Sequence, residues 1–142
     1  MTVKPAIIPG LRYQDAPRAI DFLCAAFGFE RHAVYPDPND ATIIMHAQLT
    51  DRGNMIMLGS ATDNEYQRKA GIKSVAEAGG ATLGLYVTVD DVDAHAERAR
   101  AAGADIFIEP VDQDYGGRGY SCRDLEGNVW SFGSYDPFAS GS

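Results

Sequence analysis

The sequence is poor in basic residues and contains no long apolar run, and each shortage excludes a class of protein. Its 12 Lys and Arg residues stand against 20 Asp and Glu, so the net charge is −8 and the pI is near 4.7. This balance argues against nucleic acids and anionic membranes as partners. No apolar run approaches the roughly 20 residues of a membrane span, and no signal-peptide pattern follows the N-terminus. We therefore expect a protein without a membrane partner.

Cysteine is also scarce. Cys24 and Cys122 are far apart in the sequence and form no Cys-x-x-Cys pair. They are therefore expected to be reduced thiols of a cytoplasmic protein. The hydrophobic share of 45% and the charged share of 23% are those of an ordinary globular protein. At 142 residues the chain can form one compact domain, or two half-size modules that share a core.

One stretch occurs twice. Residues 53–60 consist of Gly-Asn, four mostly apolar residues and Gly-Ser, and residues 127–134 repeat this pattern at a shift of 74. In each copy a turn signal leads into a short strand that ends at a glycine. Because the shift is about half of the chain, we expect a duplicated unit.

Each half is predicted to fold as a βαβββ module. Asp15 and Gly28 mark the ends of the first helix, and Asp90 or Asp91 and Gly103 mark the ends of the second. The predicted strands cover residues 6–13, 29–35, 42–49, 55–58, 82–89, 105–111, 119–123 and a segment after Asn128. We therefore expect one α+β domain over residues 1–142, with module one at about 5–60, a polar connection at 61–80 and module two at about 81–136.

These motifs, in this order, resemble those of the vicinal oxygen chelate superfamily, which includes glyoxalase I, extradiol dioxygenases, fosfomycin-resistance enzymes and bleomycin-resistance proteins. The resemblance rests on Leu11-Arg12-Tyr13-x-Asp15, Ala19-Ile20-Asp21-Phe22, Phe27-Gly28-Phe29, Val89-Asp90-Asp91-Val92-Asp93, Ala101-Ala102-Gly103-Ala104 and Arg123-Asp124-x-Glu126-Gly127-Asn128-x-Trp130-Ser131-Phe132-Gly133. It implies two modules whose sheets curl around a central cleft, with each helix on the outer face of its sheet.

The resemblance also implies where a metal would be bound. In the metalloenzymes of the superfamily, the first and last strands of each module supply the ligands, and these positions correspond to Ile8, Met57, Gly84 and Ser131 here. None of the four carries an imidazole or a carboxylate, whereas a divalent ion needs about three or four N, O or S ligands. We therefore expect no metal and no cofactor, as in the metal-free bleomycin-resistance-like subgroup. An atypical metal site involving His32, His46 and Glu109 remains an alternative.

Strand alternation predicts which side chains line the cleft. If Ser131 faces the cleft, Trp130 and Phe132 face the helix and belong to the core. His46 is interpreted either as a core imidazole or as part of the pocket wall, and His95 is expected to be solvated on its helix. The predicted ligand-binding residues are Arg12, His46, Met55, Met57, Tyr86, Thr88, Tyr115, Arg118, Tyr120 and Ser131.

The sequence therefore predicts a metal-independent protein that sequesters a small organic molecule, such as a cationic antibiotic, and contributes to antibiotic resistance. The resemblance implies a homodimer with ligand grooves at the subunit interface. One alternative is a glyoxalase-like lyase or isomerase with an atypical metal site. Another is a ligand-responsive partner of a second protein.

Overall fold

The computed structural model describes residues 2–139 and contains eight strands and four helices. The first module consists of β1 (Gly10–Tyr13), α1 (Ala16–Phe27), β2 (Glu30–Asp37), β3 (Asp40–Asp51) and β4 (Asn54–Ser60). Two helices follow, α2 (Glu65–Ala70) and α3 (Val75–Ala78). The second module consists of β5 (Gly84–Thr88), α4 (Val92–Ala101), β6 (Asp105–Asp112), β7 (Arg118–Arg123) and β8 (Val129–Gly133).

The strands form two separate four-stranded sheets with the same topology. Their orders are β1-β4-β3-β2 and β5-β8-β7-β6, and in each sheet the first strand pairs parallel to the last strand of its module. The other pairs are antiparallel. The prediction of two tandem βαβββ modules is therefore confirmed, and the sheets are open rather than closed into a barrel.

The first helix has the ends that the sequence predicts. The Asp15 carboxylate accepts a hydrogen bond from the Arg18 N–H at 3.2 Å, and Pro17 occupies the first turn. Gly28 ends α1 with φ of 81°, a left-handed conformation that costs glycine little. In the second module Asp91 rather than Asp90 caps α4.

The connection between the modules has more structure than the sequence suggested. Asn64 caps α2, and Ser74 and Glu77 form a capping box at the start of α3. These helices have six and four residues and bury few apolar side chains, so they leave no 3.6-residue hydrophobic period to detect. Their caps, rather than an apolar stripe, are the signal that sequence reasoning overlooked.

The two modules share one hydrophobic core on the helix-facing sides of their sheets. Phe27 of α1 lies with its ring centroid 5.1 Å from that of Trp130 and 4.7 Å from that of Phe132, so the first helix packs onto the second sheet. Trp130 is fully buried, which confirms its predicted place in the core. Because the helix-facing sides are covered by this core, the opposite faces of the sheets are the ones available to a ligand.

A buried carboxylate in the second module forms a hydrogen bond with the first module. Asp124, in the turn between β7 and β8, accepts hydrogen bonds from the Tyr13 hydroxyl at 2.6 Å and from Trp130 Nε1 at 3.1 Å. Two residues further on, the Glu126 carboxylate accepts from the backbone N–H groups of Gln14 and Asp15. The acidic residues within 123–128 thus attach the N-terminal end of α1 to the second module through hydrogen bonds.

Candidate functional site

Each sheet has one face directed away from its helix. We call this face the first cup in the sheet of β1–β4 and the second cup in the sheet of β5–β8. The registers place Tyr86 opposite Ser131 on the second cup and Arg12 opposite Gly59 on the first. Side chains alternate between the faces along each strand, so neighbours such as Leu58 and Phe132 belong to the buried core. The predicted orientation of Arg12, Met57, Tyr86 and Ser131 follows from this register.

The second cup contains a cavity of about 480 Å³. The hydroxyls of Ser121 and Ser131 lie 2.7 Å apart on its floor and form a hydrogen bond. Tyr86, Ile108 and Tyr115 contribute to its walls, and all three are more than 40% exposed. The cavity therefore offers aromatic and apolar surface together with one pair of hydroxyl groups.

The position of the Tyr86 side chain depends on a hydrogen bond to Tyr135 and on the space left by Gly133. The Tyr86 hydroxyl donates a hydrogen bond to the Tyr135 carbonyl at 2.5 Å. A Cβ atom at Gly133 would lie only 2.7 Å from that hydroxyl oxygen and 3.2 Å from the Arg118 carbonyl oxygen, so a larger residue there would displace the Tyr86 side chain. Partial burial, followed by the nearby Tyr115 and Asp136, raises the pKa of Tyr86, and the side chain remains a neutral hydrogen-bonding group at physiological pH.

The repeated glycine has the same function in the first cup. Gly59 corresponds to Gly133, and a Cβ atom there would lie 3.0 Å from Nη1 of Arg12 and 3.1 Å from the Met45 carbonyl oxygen. The final glycine of each repeat thus makes room for one large side chain on the cup face. That side chain is Arg12 in the first cup and Tyr86 in the second.

The first cup has a different chemical character. His46 on β3 stacks against the Tyr35 ring with centroids 6.2 Å apart, and its Nε2 lies 3.2 Å from the Gln48 amide nitrogen. Met57 pairs with Gln48 across the sheet, and Met55 pairs with Thr50. His46 therefore belongs to the cup surface, and the alternative of a core imidazole is wrong.

Of the six predicted site residues in the second module, three have side chains that lie outside the second cavity or are engaged elsewhere. Tyr120 borders the cavity, but its side chain is buried in the core, where its hydroxyl lies 2.6 Å from Nδ1 of His95. Arg118 forms ion pairs with Asp93 at 3.0 Å and Asp112 at 3.3 Å. Thr88 lies at the end of β5 beyond the cavity lining. Among the predicted residues, Tyr86, Tyr115 and Ser131 are the ones whose side chains the fold brings together here.

His95 is not solvated on its helix, contrary to the sequence-based expectation. Its ring lies with its centroid 4.2 Å from that of Phe132 and stacks on Phe27. Burial, followed by repulsion from Arg52, lowers the pKa of His95 to about 4. The neighbouring charged residues suggested a solvated face, whereas the helix turns His95 towards the shared core.

Sequence reasoning also missed several residues of the cavity. Ser121, Ile108, Gln113 and Leu85 contribute to its lining. Ser121 could have been found, because strand alternation from the buried Cys122 places it on the cup face. Ile108 was harder to place, since β6 has register shifts on both sides of it that interrupt the alternation.

The side chains at the inferred metal-ligand positions do not suit a divalent ion. Ile8 precedes β1, Met57 and Ser131 lie on different sheets, and Gly84 has no side chain. Within residues 2–139, no three His, Cys, Asp or Glu side chains are grouped so that they could hold a metal. Glu109, one member of the atypical set, is paired with Arg100.

Two βαβββ modules with open cup faces define the structural class of this protein. The sequence matches the model of the Glyoxalase/Bleomycin resistance protein/Dioxygenase superfamily over residues 7–132, and the chain belongs to that superfamily. An uncharacterized protein of Mycobacterium bovis is 35% identical over 135 residues, which are 94% of this chain and 85% of that protein.

Solved structures share the fold. TioX from Micromonospora sp. ML1 is 34% identical, with a TM-score of 0.68 over 91% of this chain and 94% of that one. TnmS3, an antibiotic binding protein from Streptomyces sp. CB03234, is 21% identical, with a TM-score of 0.66 over 94% and 97% of the two chains. Among residues 2–139, none of the helices combines the length and apolar character needed to cross a bilayer.

Proposed function

We propose that this protein binds a small organic molecule in the second cup and sequesters it without chemical change. The observation that carries the proposal is the lining of the 480 Å³ cavity, which includes no carboxylate, imidazole or thiol among the described residues. General acid–base catalysis most often uses His, Glu or Asp, and a serine nucleophile needs an adjacent base to activate it. The Ser121 and Ser131 hydroxyls bond each other without a neighbouring base in the lining, so they suit recognition of a polar ligand atom.

The lining favours a flat aromatic ligand. Tyr86 and Tyr115 present exposed rings, and Tyr115 packs edge-on against Tyr135 with centroids 5.1 Å apart. Aromatic rings offer large apolar contact area and favourable stacking geometry. The net charge of −8 attracts a cationic molecule over long range, although the cavity itself contains no carboxylate to pair with it. The description of TnmS3 as an antibiotic binding protein supports an antibiotic as the ligand class.

We further propose that a second copy of the chain completes the cleft. Tyr35 on the first cup is 58% exposed, and Tyr115 on the second is 61% exposed. Ligand pockets usually bury most of the bound molecule, whereas one open sheet face leaves much of it in water. A homodimer in which each subunit covers the cup of the other supplies the missing walls.

The test is a calorimetric titration with a panel of polycyclic aromatic antibiotics, followed by mass spectrometry of the recovered compound. We expect one compound to bind and to be recovered unchanged. Ser131→Leu places a bulky side chain on the cavity floor, and Tyr86→Ala removes a wall, so each should weaken binding about tenfold or more. Leu125→Ala, in the turn between β7 and β8 and outside the cavity lining, is the control for loss of an exposed apolar side chain and should change affinity about twofold or less.

Three results contradict the proposal. Conversion of the bound compound would show an enzyme, and stoichiometric metal after exposure to divalent ions and desalting would favour the lyase or isomerase alternative. Wild-type affinity in both Ser131→Leu and Tyr86→Ala would place the ligand elsewhere. Sedimentation that shows only monomer in the presence of the ligand would contradict the shared cleft.

A further inference from the structure

A second cavity lies between the two modules. It has a volume of about 210 Å³ and is enclosed by β1, the start of β5 and the connecting segment at residues 72–83, and we call it the intermodule cavity. Since a water molecule occupies about 30 Å³ in the liquid, this space can accommodate a small organic molecule. It adjoins the second cup at Leu85 but is otherwise lined by different residues.

Arg12, whose Nη1 also lies close to Gly59 of the first cup, is one of the residues that line this cavity. It lacks the anionic partner that a partly buried arginine normally has. Its guanidinium donates one hydrogen bond, from Nη1 to the Leu11 carbonyl at 3.3 Å. Its Nε is buried without a hydrogen-bond partner in the part of the chain that the structure describes, and the group lies 5.8 Å from the centre of the Tyr66 ring. A buried donor without a partner costs free energy, so a ligand acceptor would be stabilising here.

Arg118 has the carboxylate partners that Arg12 lacks. These two are the arginines of intermediate exposure, and Arg118 has two aspartates within ion-pair distance. No carboxylate of residues 2–139 lies within 4 Å of the charged nitrogens of Arg12. The difference leaves Arg12 free to bind an anion that the protein itself does not supply.

The rest of the lining supports the same chemistry. Lys73 adds a second positive charge, and no lining residue is acidic, although the chain as a whole carries −8. Glu77 lies near Lys73, but its carboxylate accepts from the Ser74 backbone N–H at 3.0 Å. The Asn128 amide adjoins the Tyr13 hydroxyl, yet its nitrogen makes no well-formed hydrogen bond within residues 2–139. The lining therefore carries positive charge from Arg12 and Lys73 and no acidic residue.

The remaining wall is apolar and is formed by Leu11, Ile72, Val75, Leu83, Leu85 and Val129. A phosphate ion would leave this surface without contacts, whereas a carboxylate on a short hydrocarbon or aromatic body would use both parts of the lining. A guanidinium binds a carboxylate through charge-assisted, often bidentate hydrogen bonds. We propose that the intermodule cavity is a binding site for a small apolar carboxylate, with Arg12 as its anchor. This inference does not depend on the proposed function of the second cup.

The test is titration of the full-length protein with benzoate, with benzamide as the neutral ligand of the same shape and inorganic phosphate as the alternative anion. Calorimetry gives affinity, and amide chemical shifts in NMR spectra locate the site. We expect benzoate to shift the amides of residues 10–12 and 72–85 and to bind about tenfold or more tightly than benzamide or phosphate. Arg12→Met should weaken benzoate binding about tenfold or more, and Arg12→Lys by a smaller factor.

Matched variants separate the site from general charge effects. Arg18 is exposed and lies outside the cavity, so Arg18→Met removes the same charge and should leave benzoate affinity within about twofold. Ser131→Leu should likewise leave it unchanged, whatever happens to ligands of the second cup. Thermal unfolding verifies that each variant is folded, and Lys73→Gln provides a second variant at an exposed position.

The proposal is overturned if benzoate does not bind at millimolar concentration or if benzamide or phosphate binds equally well. It is also overturned if the shifted amides lie outside the cavity. Unchanged benzoate affinity in Arg12→Met would contradict it as well.

Discussion

The two faces of the second sheet differ in how many of their polar groups are hydrogen-bonded within the protein. On the helix side, Asp124 accepts hydrogen bonds from Tyr13, Trp130 and two backbone N–H groups, and the hydroxyl of Tyr120 meets His95. On the cup side, the Ser121 and Ser131 hydroxyls bond only each other, and Tyr86 is 44% exposed. One face therefore stabilises the fold, and the other is available for recognition.

This division predicts that substitutions on the two faces affect different properties. A change on the helix side should alter the free energy of unfolding and leave ligand affinity almost unchanged. A change on the cup side should have the opposite effect.

Asp124→Asn should have the largest effect on stability. Asn presents one acceptor oxygen and one NH₂ group where the carboxylate had two acceptors, so at least one of the Tyr13 hydroxyl, Trp130 Nε1 and backbone donors loses its partner. We expect the free energy of unfolding to fall by about 3 kcal/mol, measured by urea denaturation. At temperatures where the variant is folded, the affinity of the second cup should change less than twofold.

Asp105→Asn is the control for this variant. Asp105 forms an ion pair with Arg123 at 3.2 Å, and both side chains are well exposed. Such pairs contribute at most about 1 kcal/mol. Equal destabilisation by Asp124→Asn and Asp105→Asn would show that the buried network does not join the modules as the hydrogen bonds indicate.

His95 should make the stability depend on pH. In the unfolded chain its pKa is near 6.5, and burial first, then Arg52, lowers it to about 4 in the folded protein. Between these values the unfolded state binds one more proton, so stability is complete above pH 6.5 and decreases as the pH falls towards 4. Since part of the ring is in contact with solvent, we expect a loss of about 1–2 kcal/mol rather than the full value of about 3 kcal/mol.

His95→Asn separates this effect from the titration of the carboxylates. An Asn amide can replace Nδ1 as the partner of the Tyr120 hydroxyl but has no charge to gain. Urea denaturation at pH 7.5 and pH 4.5 should therefore show a smaller pH-dependent loss in the variant than in the wild type. Identical losses would mean that His95 is not protected from protonation.

The fold could be predicted further than the site, for physical reasons that particular residues show. The caps at Asp15 and Gly28 and the repeated Gly-Asn turn are local signals, and the structure contains the corresponding elements. The contact of His95 with Phe27 joins two modules, and the ion pairs of Arg118 extend to α4 and β6. Such long-range partners depend on packing that local patterns do not specify.

The two arginines illustrate the limit most clearly. Both were predicted to contact a ligand, and residue type alone does not distinguish them. Only the fold shows that Arg118 is neutralised by aspartates whereas Arg12 is not. Whether a functional group is free depends on its neighbours in space, and these neighbours come from distant parts of the chain.

Ser131→Ala should have the smallest effect on stability and sharpens the comparison from the cup side. It removes the 2.7 Å hydrogen bond to Ser121, whose hydroxyl is only partly buried and can bind water instead. We expect a loss of less than about 1 kcal/mol in the free energy of unfolding, together with weaker binding of a ligand that uses this hydroxyl pair. A loss comparable to that of Asp124→Asn would mean that the cup floor is part of the structural core, and the separation of the two faces would then be wrong.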